Sequence, residues 1–247
     1  MNVLLVTAGE IGEDDSVILS DGRARHVRAV LKAPVGGTVR IGVIDGPMGM
    51  GTVASIGHDR VELRCALDAT IPERPRVDLL LALPRPKVMR RLWAQLAALG
   101  VGQVILTNAE RVERDYFDSH VLEEKGYRPL LIEGLQQARD TRLPVVSIHK
   151  RFKVLVEDDL DRLFPRGRRV VADPGGAISI RSALADADPR ERVLVAIGPE
   201  GGWNDFELNL LAAHGFRKVG MGPRTLATTT ACVALLTLVH ETLRNPP

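Results

Sequence analysis

Cysteine is nearly absent: the 247-residue chain has two, Cys65 and Cys232, far apart and in no Cys-x-x-Cys pattern. That excludes a disulfide framework and a cysteine-rich zinc site, and it suits a reducing compartment. Long apolar runs are missing too. No stretch approaches the roughly 18 apolar residues needed to span a bilayer. The run Val3-Leu4-Leu5-Val6 lacks a basic flank and is too short for a signal sequence. The expectation is a cytoplasmic protein without a membrane partner. Aromatic residues make up only 4%, which argues against a flat base-stacking platform for single strands. His26, His58, His120, His149, His214 and His240 are scattered, and no cluster has metal-ligand spacing, so no metal is expected.

What is present is ordinary for a globular protein: 45% hydrophobic and 26% charged residues, enough for a sizeable core. A net charge of +2 excludes a highly basic nucleic-acid coat. Basic residues nevertheless cluster, as Arg23, Arg25, Arg28 and Lys32 in one stretch and Arg85, Lys87, Arg90 and Arg91 in another. Such clusters either neutralise phosphates or form a solvated face.

Residues 1 to about 70 read as short strands broken by turn signals: Val17–Leu19, Thr38–Ile44, Gly51–Ile56 and Arg60–Cys65. Period-two alternation with β-branched residues suggests a small barrel, interrupted by one helix from about Arg23 to Lys32. The proline-rich stretch Thr70–Arg76 reads as a linker. From Val77 the pattern changes. Apolar strands at Val77–Leu83, Val104–Leu106, Arg169–Ala172 and Val193–Ile197 alternate with helices at Lys87–Leu99 and Leu130–Ala138. That alternation implies an α/β domain with a mostly parallel sheet.

The most informative segment is Val193-Leu194-Val195-Ala196-Ile197-Gly198-Pro199-Glu200-Gly201-Gly202-Trp203-Asn204-Asp205-Phe206-Glu207. A buried strand runs into a glycine-rich turn, and a helix comes next with Asn204 as N-cap and Glu207 placed for a capping box. The turn is either a ligand site, since α/β sheets bind ligands at the carboxyl ends of their strands, or a structural turn. It carries no dinucleotide fingerprint and no P-loop. A second Gly-Pro loop lies in Val219-Gly220-Met221-Gly222-Pro223-Arg224-Thr225-Leu226-Ala227, before a final helix capped from Thr228, Thr229 or Thr230. The expectation is that two such loops, if their strands are neighbours, wall a single pocket.

The pair "IGPEGG" and "MGPRTLATTTA" resembles the ribosomal small-subunit RNA uridine-N3 methyltransferases (RsmE-type), of the SPOUT class. Further likeness lies in Arg25-His26-Val27-Arg28, in Leu83-Pro84-Arg85-Pro86-Lys87 with Leu99-Gly100-Val101, and in Glu133, Gln137 and Arg142-Leu143-Pro144. The resemblance implies a PUA-like β-barrel over residues 1–71 for RNA. After it comes a trefoil-knotted α/β methyltransferase domain over 72–247, acting as a homodimer on ribosomal RNA or the small subunit. It implies S-adenosylmethionine as cofactor, held by loops near Ala172-Asp173, Ile197–Gly202 and Met221–Leu226. The expected cofactor residues are Ala172, Ile197, Gly198, Pro199, Glu200, Gly201, Gly202, Met221, Gly222, Pro223 and Leu226. Arg224 is expected to be catalytic, stabilising charge on the base or gripping phosphate, and Glu200 either orients a ligand or braces its turn. Arg25, Arg28, Lys32, Arg85, Lys87 and Arg142 are the expected RNA contacts. Where the family motif has a second arginine and a glutamate this chain has Ala227 and Thr229, and Ala98 replaces the glutamate of "ELGV". These departures keep two alternatives open: a non-catalytic binder of RNA and cofactor, and a methyltransferase with another target base. No general base is visible.

Overall fold

The alternating segments of the N-terminal region do become strands. A computed structural model describes residues 2–188 and 190–244; Met1 and residues 245–247, which close the two expected domain spans, lie outside the described residues. The strands β1 (Leu4–Val6), β2 (Ser16–Leu19), β3 (Thr38–Val43), β4 (Met48–Ile56) and β5 (Val61–Leu67) form one sheet in the order β1-β3-β4-β5-β2. All pair antiparallel except β1, which lies parallel to β3. Val17 and Leu19, Val39 and Ile41, and Val61 and Leu63 send alternate side chains into one buried cluster, as period two requires.

The single helix expected over 23–32 is two pieces. Helix α1 (Gly22–His26) is capped by Asp21, whose carboxylate accepts the Arg23 N–H at 2.8 Å. It runs directly into a π turn, Val27–Leu31, which ends at Lys32 in the left-handed region with φ +50°. The wider π turn shifts the helical phase, so residues along it face differently than in a continuous α-helix. Val27 is buried, but Val30 and Leu31 are exposed.

The chain divides into two compact units: Met1–Arg74 with Ile132–Leu143, and Pro75–Leu131 with Pro144–Pro247. The first unit therefore includes a later return of chain as well as the N-terminal strands. Thr141, fully buried, donates its hydroxyl to Gly46 O at 2.7 Å. Arg142 donates to the carbonyls of Pro72 and Asp45.

In the second unit strands and helices alternate, as expected. Its elements are β6 (Val77–Ala82), α2 (Pro86–Ala98), β7 (Val101–Thr107), α3 (Glu124–Ala138, which continues into the first unit), β8 (Val145–His149) and α4 (Phe152–Val154). A π turn at Leu155–Asp159 leads into α5 (Leu160–Leu163). Then come β9 (Arg168–Ala172), α6 (Ile180–Ala183), β10 (Val193–Ile197), α7 (Asp205–Ala213), β11 (Phe216–Val219) and α8 (Thr228–Arg244). The six strands lie in the order β11-β9-β10-β6-β7-β8, every pair parallel. Each residue of β6, β7 and β10 is buried, which explains their continuous apolar runs: a parallel sheet is covered on both faces. No helix among the described residues is long and apolar enough to cross a membrane.

Candidate functional site

Strands β11, β9 and β10 are neighbours in the sheet. All three are parallel, so their carboxyl ends share one edge, and the loops that leave them meet there. That placement is the reason three segments far apart in sequence line one pocket. Its empty space is about 660 Å³ when the open mouth is included. Ala172 and Asp173 come from the β9 end, Ile197, Gly198, Pro199, Glu200, Gly202 and Trp203 from the β10 end, and Met221, Gly222, Arg224 and Leu226 from the β11 end. Thr228, Ala231 and Leu235 of α8 close it.

The β9 loop and the end of β11 are interleaved. Asp173 N–H donates to Val219 O at 3.0 Å, and Gly220 N–H donates to Ile178 O at 3.0 Å. Residues 173 and 178 thus hold the same two-residue stretch at the end of β11. Side chains are excluded where they cross: a Cβ on Gly176 would lie 2.2 Å from Val219 C, and one on Gly220 would lie 2.3 Å from Gly176 O. Asp173 is further fixed by Lys218 at 2.9 Å and by the Gly175 N–H at 2.9 Å.

The β10 loop is braced from its other side. The capping box read from the sequence is present: Asn204 Oδ1 accepts the Glu207 N–H at 2.8 Å, and Glu207 Oε2 accepts the Asn204 N–H at 2.8 Å. The second carboxylate oxygen of buried Glu207 accepts the Glu110 N–H at 2.7 Å. The neighbouring Arg111 donates to Gly201 O. Glu200 Oε1 accepts the Arg85 N–H at 3.4 Å. The segment 110–111 therefore clips the glycine-rich turn in place. Nothing in the sequence pattern singled out Glu110 or Arg111.

The pocket combines apolar walls at Ile197, Val219, Leu226 and Leu235 with backbone-rich, glycine-containing rims. Gly202 and Gly222 sit at φ +74° and +96° with open space where a Cβ would be. Apolar walls with a few polar groups at the rim are the usual lining of a small-molecule site.

A family profile for the RNA methyltransferase domain matches residues 72–240. Ribosomal RNA small subunit methyltransferase E of Treponema pallidum is 30% identical, across 100% of this chain and 95% of that protein. The chain belongs to the ribosomal RNA small subunit methyltransferase E family. Ribosomal RNA small subunit methyltransferase E 1 of Borreliella burgdorferi is 23% identical over 99% of this chain and all of that one. Among solved structures, the Neisseria gonorrhoeae methyltransferase E bound to S-adenosyl methionine superposes with a TM-score of 0.76. It is 19% identical and matches 98% of this chain and 97% of its own. A Legionella pneumophila methyltransferase with bound cofactor SAM reaches 0.77 at 22% identity, with 98% and 97% covered. At these identities the likeness shows the fold: an α/β methyltransferase fold.

For this methyltransferase-family chain, the pocket gathers most of the expected cofactor residues. Two stand apart. Gly201 faces Arg111, and a Cβ there would meet Arg111 Cδ at 2.8 Å, so a side chain at 201 would press on the clip and not on a ligand. Pro223 is exposed beside Arg224 and does not line the pocket. Trp203, Ala231 and Leu235 line it without having been expected there from the sequence, and Thr228 lines it although it was read only as a helix cap. No histidine lines it among the described residues. Arg224 is exposed at the pocket wall and forms no ion pair among the described residues.

The expected RNA contacts fall into three groups. Arg25, Arg28 and Lys32 are exposed on α1 and the π turn, although Arg28 also donates to the Gly57 and His58 carbonyls. Their neighbour Arg23 is consumed internally by Glu10 at 2.5 Å and Asp21 at 2.8 Å. Arg85 and Lys87 are exposed at the start of α2. Arg142 is engaged within the first unit by the carbonyls of Pro72 and Asp45, its side chain 18% exposed.

Proposed function

We propose that this chain transfers the methyl group of S-adenosylmethionine to N3 of a uridine in small-subunit ribosomal RNA. The observation that carries the reading is the pocket where the β9, β10 and β11 loops meet, in a chain of this family. Gly198, Gly202, Met221, Gly222 and Leu226 hold the cofactor through backbone and apolar contact, and Asp173 and Glu200 offer carboxylates to its cationic part. When bound, the cofactor supplies an electrophilic methyl on a sulfonium.

The residues of the chain must do the rest. Uracil N3 carries a weakly acidic imide proton, and negative charge develops on the base as that proton leaves. Arg224, at the pocket wall, is the residue we assign to stabilise this charge, since a donor aimed at developing charge lowers the barrier. Holding base and methyl in near-attack geometry contributes much of the remaining acceleration. N3 lies on the Watson–Crick edge, so the target must be unpaired or flipped out.

Three features of the assembly belong to the same proposal. The interleaving of 173–178 with Val219-Gly220 supports a threaded, trefoil-knotted SPOUT domain. The five-stranded sheet with its basic helix supports a PUA-like RNA-binding barrel. Val233 and Leu238, exposed on α8, support a homodimer, which sedimentation equilibrium would read as twice the chain mass.

Ala227 and Thr229 favour one competing reading, a binder of RNA and cofactor without turnover. Labelled S-adenosylmethionine and undermethylated small subunits separate the two. Incorporation at a uridine N3 is the expected result, and cofactor binding with no incorporation would establish the binder.

A further inference from the structure

We infer that the indole N–H of Trp203 is a ligand-binding donor that bonds to an acceptor on the nucleoside part of the cofactor. The inference rests on the cofactor reading above and adds a residue to it. Trp203 is 5% exposed and lines the pocket, yet its Nε1 has no hydrogen-bond partner among the described residues. The contrast within the chain is direct: the other tryptophan, Trp93, gives its Nε1–H to Val121 O at 3.1 Å. Folded proteins rarely leave a buried donor unpaired, because the lost hydration is not recovered. A donor orphaned at a pocket wall is what remains when the ligand supplies the acceptor.

The ring is held for that purpose. Phe152 packs against it, centroids 5.4 Å apart and planes tilted by 36°. Its pyrrole edge lies against the bare Cα of Gly198: a Cβ there would come within 3.1 Å of Cδ1 and 3.2 Å of Nε1. The nitrogen is closed off from solvent, so an acceptor reaches it only with a small local shift at Gly198 or Gly202, while Arg111 keeps its hold on Gly201. The chemistry points to the nucleoside. The pocket's lining includes apolar Ile197, Leu226 and Leu235, whereas the charged Glu200 and Arg224 are exposed. A neutral heterocycle or ribose, rich in acceptors and poor in charge, matches the wall with the indole.

With two tryptophans in the chain, the test is clean. Protein labelled with ¹⁵N-tryptophan is titrated with S-adenosylhomocysteine, and Trp93→Phe assigns the Trp203 indole resonance. The Trp203 Nε1–H signal is expected to move downfield and its exchange with water to slow. Separately, Trp203→Phe keeps an aromatic ring on Phe152 and removes the donor, and the Kd for S-adenosylhomocysteine is expected to rise roughly tenfold. An unmoved resonance, or wild-type affinity in W203F, overturns the inference while leaving the cofactor reading intact. If W203F does not fold, the wild-type resonance decides alone. If S-adenosylhomocysteine does not bind the wild-type chain at all, both readings fall.

Discussion

Arg224 sits between Pro223 and Thr225 in the loop that leads to α8, which begins at Thr228. With Ala227 and Thr229 where the related motif carries arginine and glutamate, Arg224 is the one cation among the described pocket-lining residues. If it alone stabilises the developing charge, Arg224→Ala should lower single-turnover methyl transfer roughly 100- to 1,000-fold. S-adenosylhomocysteine affinity should change little, since loop backbone and apolar walls are proposed to hold that ligand. The double substitution Ala227→Arg with Thr229→Glu should leave transfer unchanged or raise it. Wild-type rates in R224A would remove the catalytic assignment and leave the enzyme reading standing. An inert wild type rescued by the double substitution would make the native chain a binder. Trp203 shows the limit of reading at this scale. In the sequence it is one apolar residue before a cap, and only the fold reveals that its nitrogen lacks a partner.

Elements were legible where one physical signal dominated. The strand–turn–helix around Ile197–Glu207 was read because a wholly apolar strand, a glycine run and a capping box succeed one another. β1 and β8 were not. Leu4–Val6 is three residues without alternation, and it becomes a strand only by pairing parallel to β3. Val145–His149 is an edge strand interrupted by Ser147, and it joins the sheet through β7. The helix expected over 23–32 was located but not its π turn, because inserting one residue into a turn leaves no compositional trace. That element carries three of the proposed RNA contacts. Arg25, Arg28 and Lys32 project from it, and each phosphate neutralised on a single strand adds about 0.7 to the slope of log K against log salt. The triple alanine variant should lose up to about 2 from that slope and bind undermethylated RNA more weakly, with S-adenosylhomocysteine affinity intact. Because Arg28 also holds the carbonyls at 57 and 58, a melting curve must accompany the measurement. An unchanged slope would return the three residues to a solvated face.

At the scale of the molecule, the alternation of strand and helix was enough to announce the α/β sheet, but not the return of 132–143 to the N-terminal unit. Helix α3 runs through the boundary at Leu131/Ile132 as one element, so the change of unit does not coincide with an element end. Nor did the apolar run Val77–Leu83 reveal the consequence of its one charged member. Asp78 is fully buried in β6 with Arg192 at 2.6 Å. Burial pushes its carboxyl up to about 6, against the opposing pull of Arg192. A carboxyl raised in the folded state binds more protons folded than unfolded between its ordinary value and about 6. The stability it contributes therefore falls as pH rises through that window. Asp78→Asn removes the titration while keeping the shape. Relative to wild type, the variant should gain stability between about pH 4 and pH 7, on the order of 2 kcal/mol across the window. The quantity to follow is the denaturant midpoint of the transition that contains the second unit, for both proteins at several pH values. Taking the difference cancels His240, whose burial lowers its pKa and acts in the opposite direction. A difference that stays flat across that range would mean that the Arg192 contact compensates the burial of Asp78 in full, and the proposed pH dependence would fail.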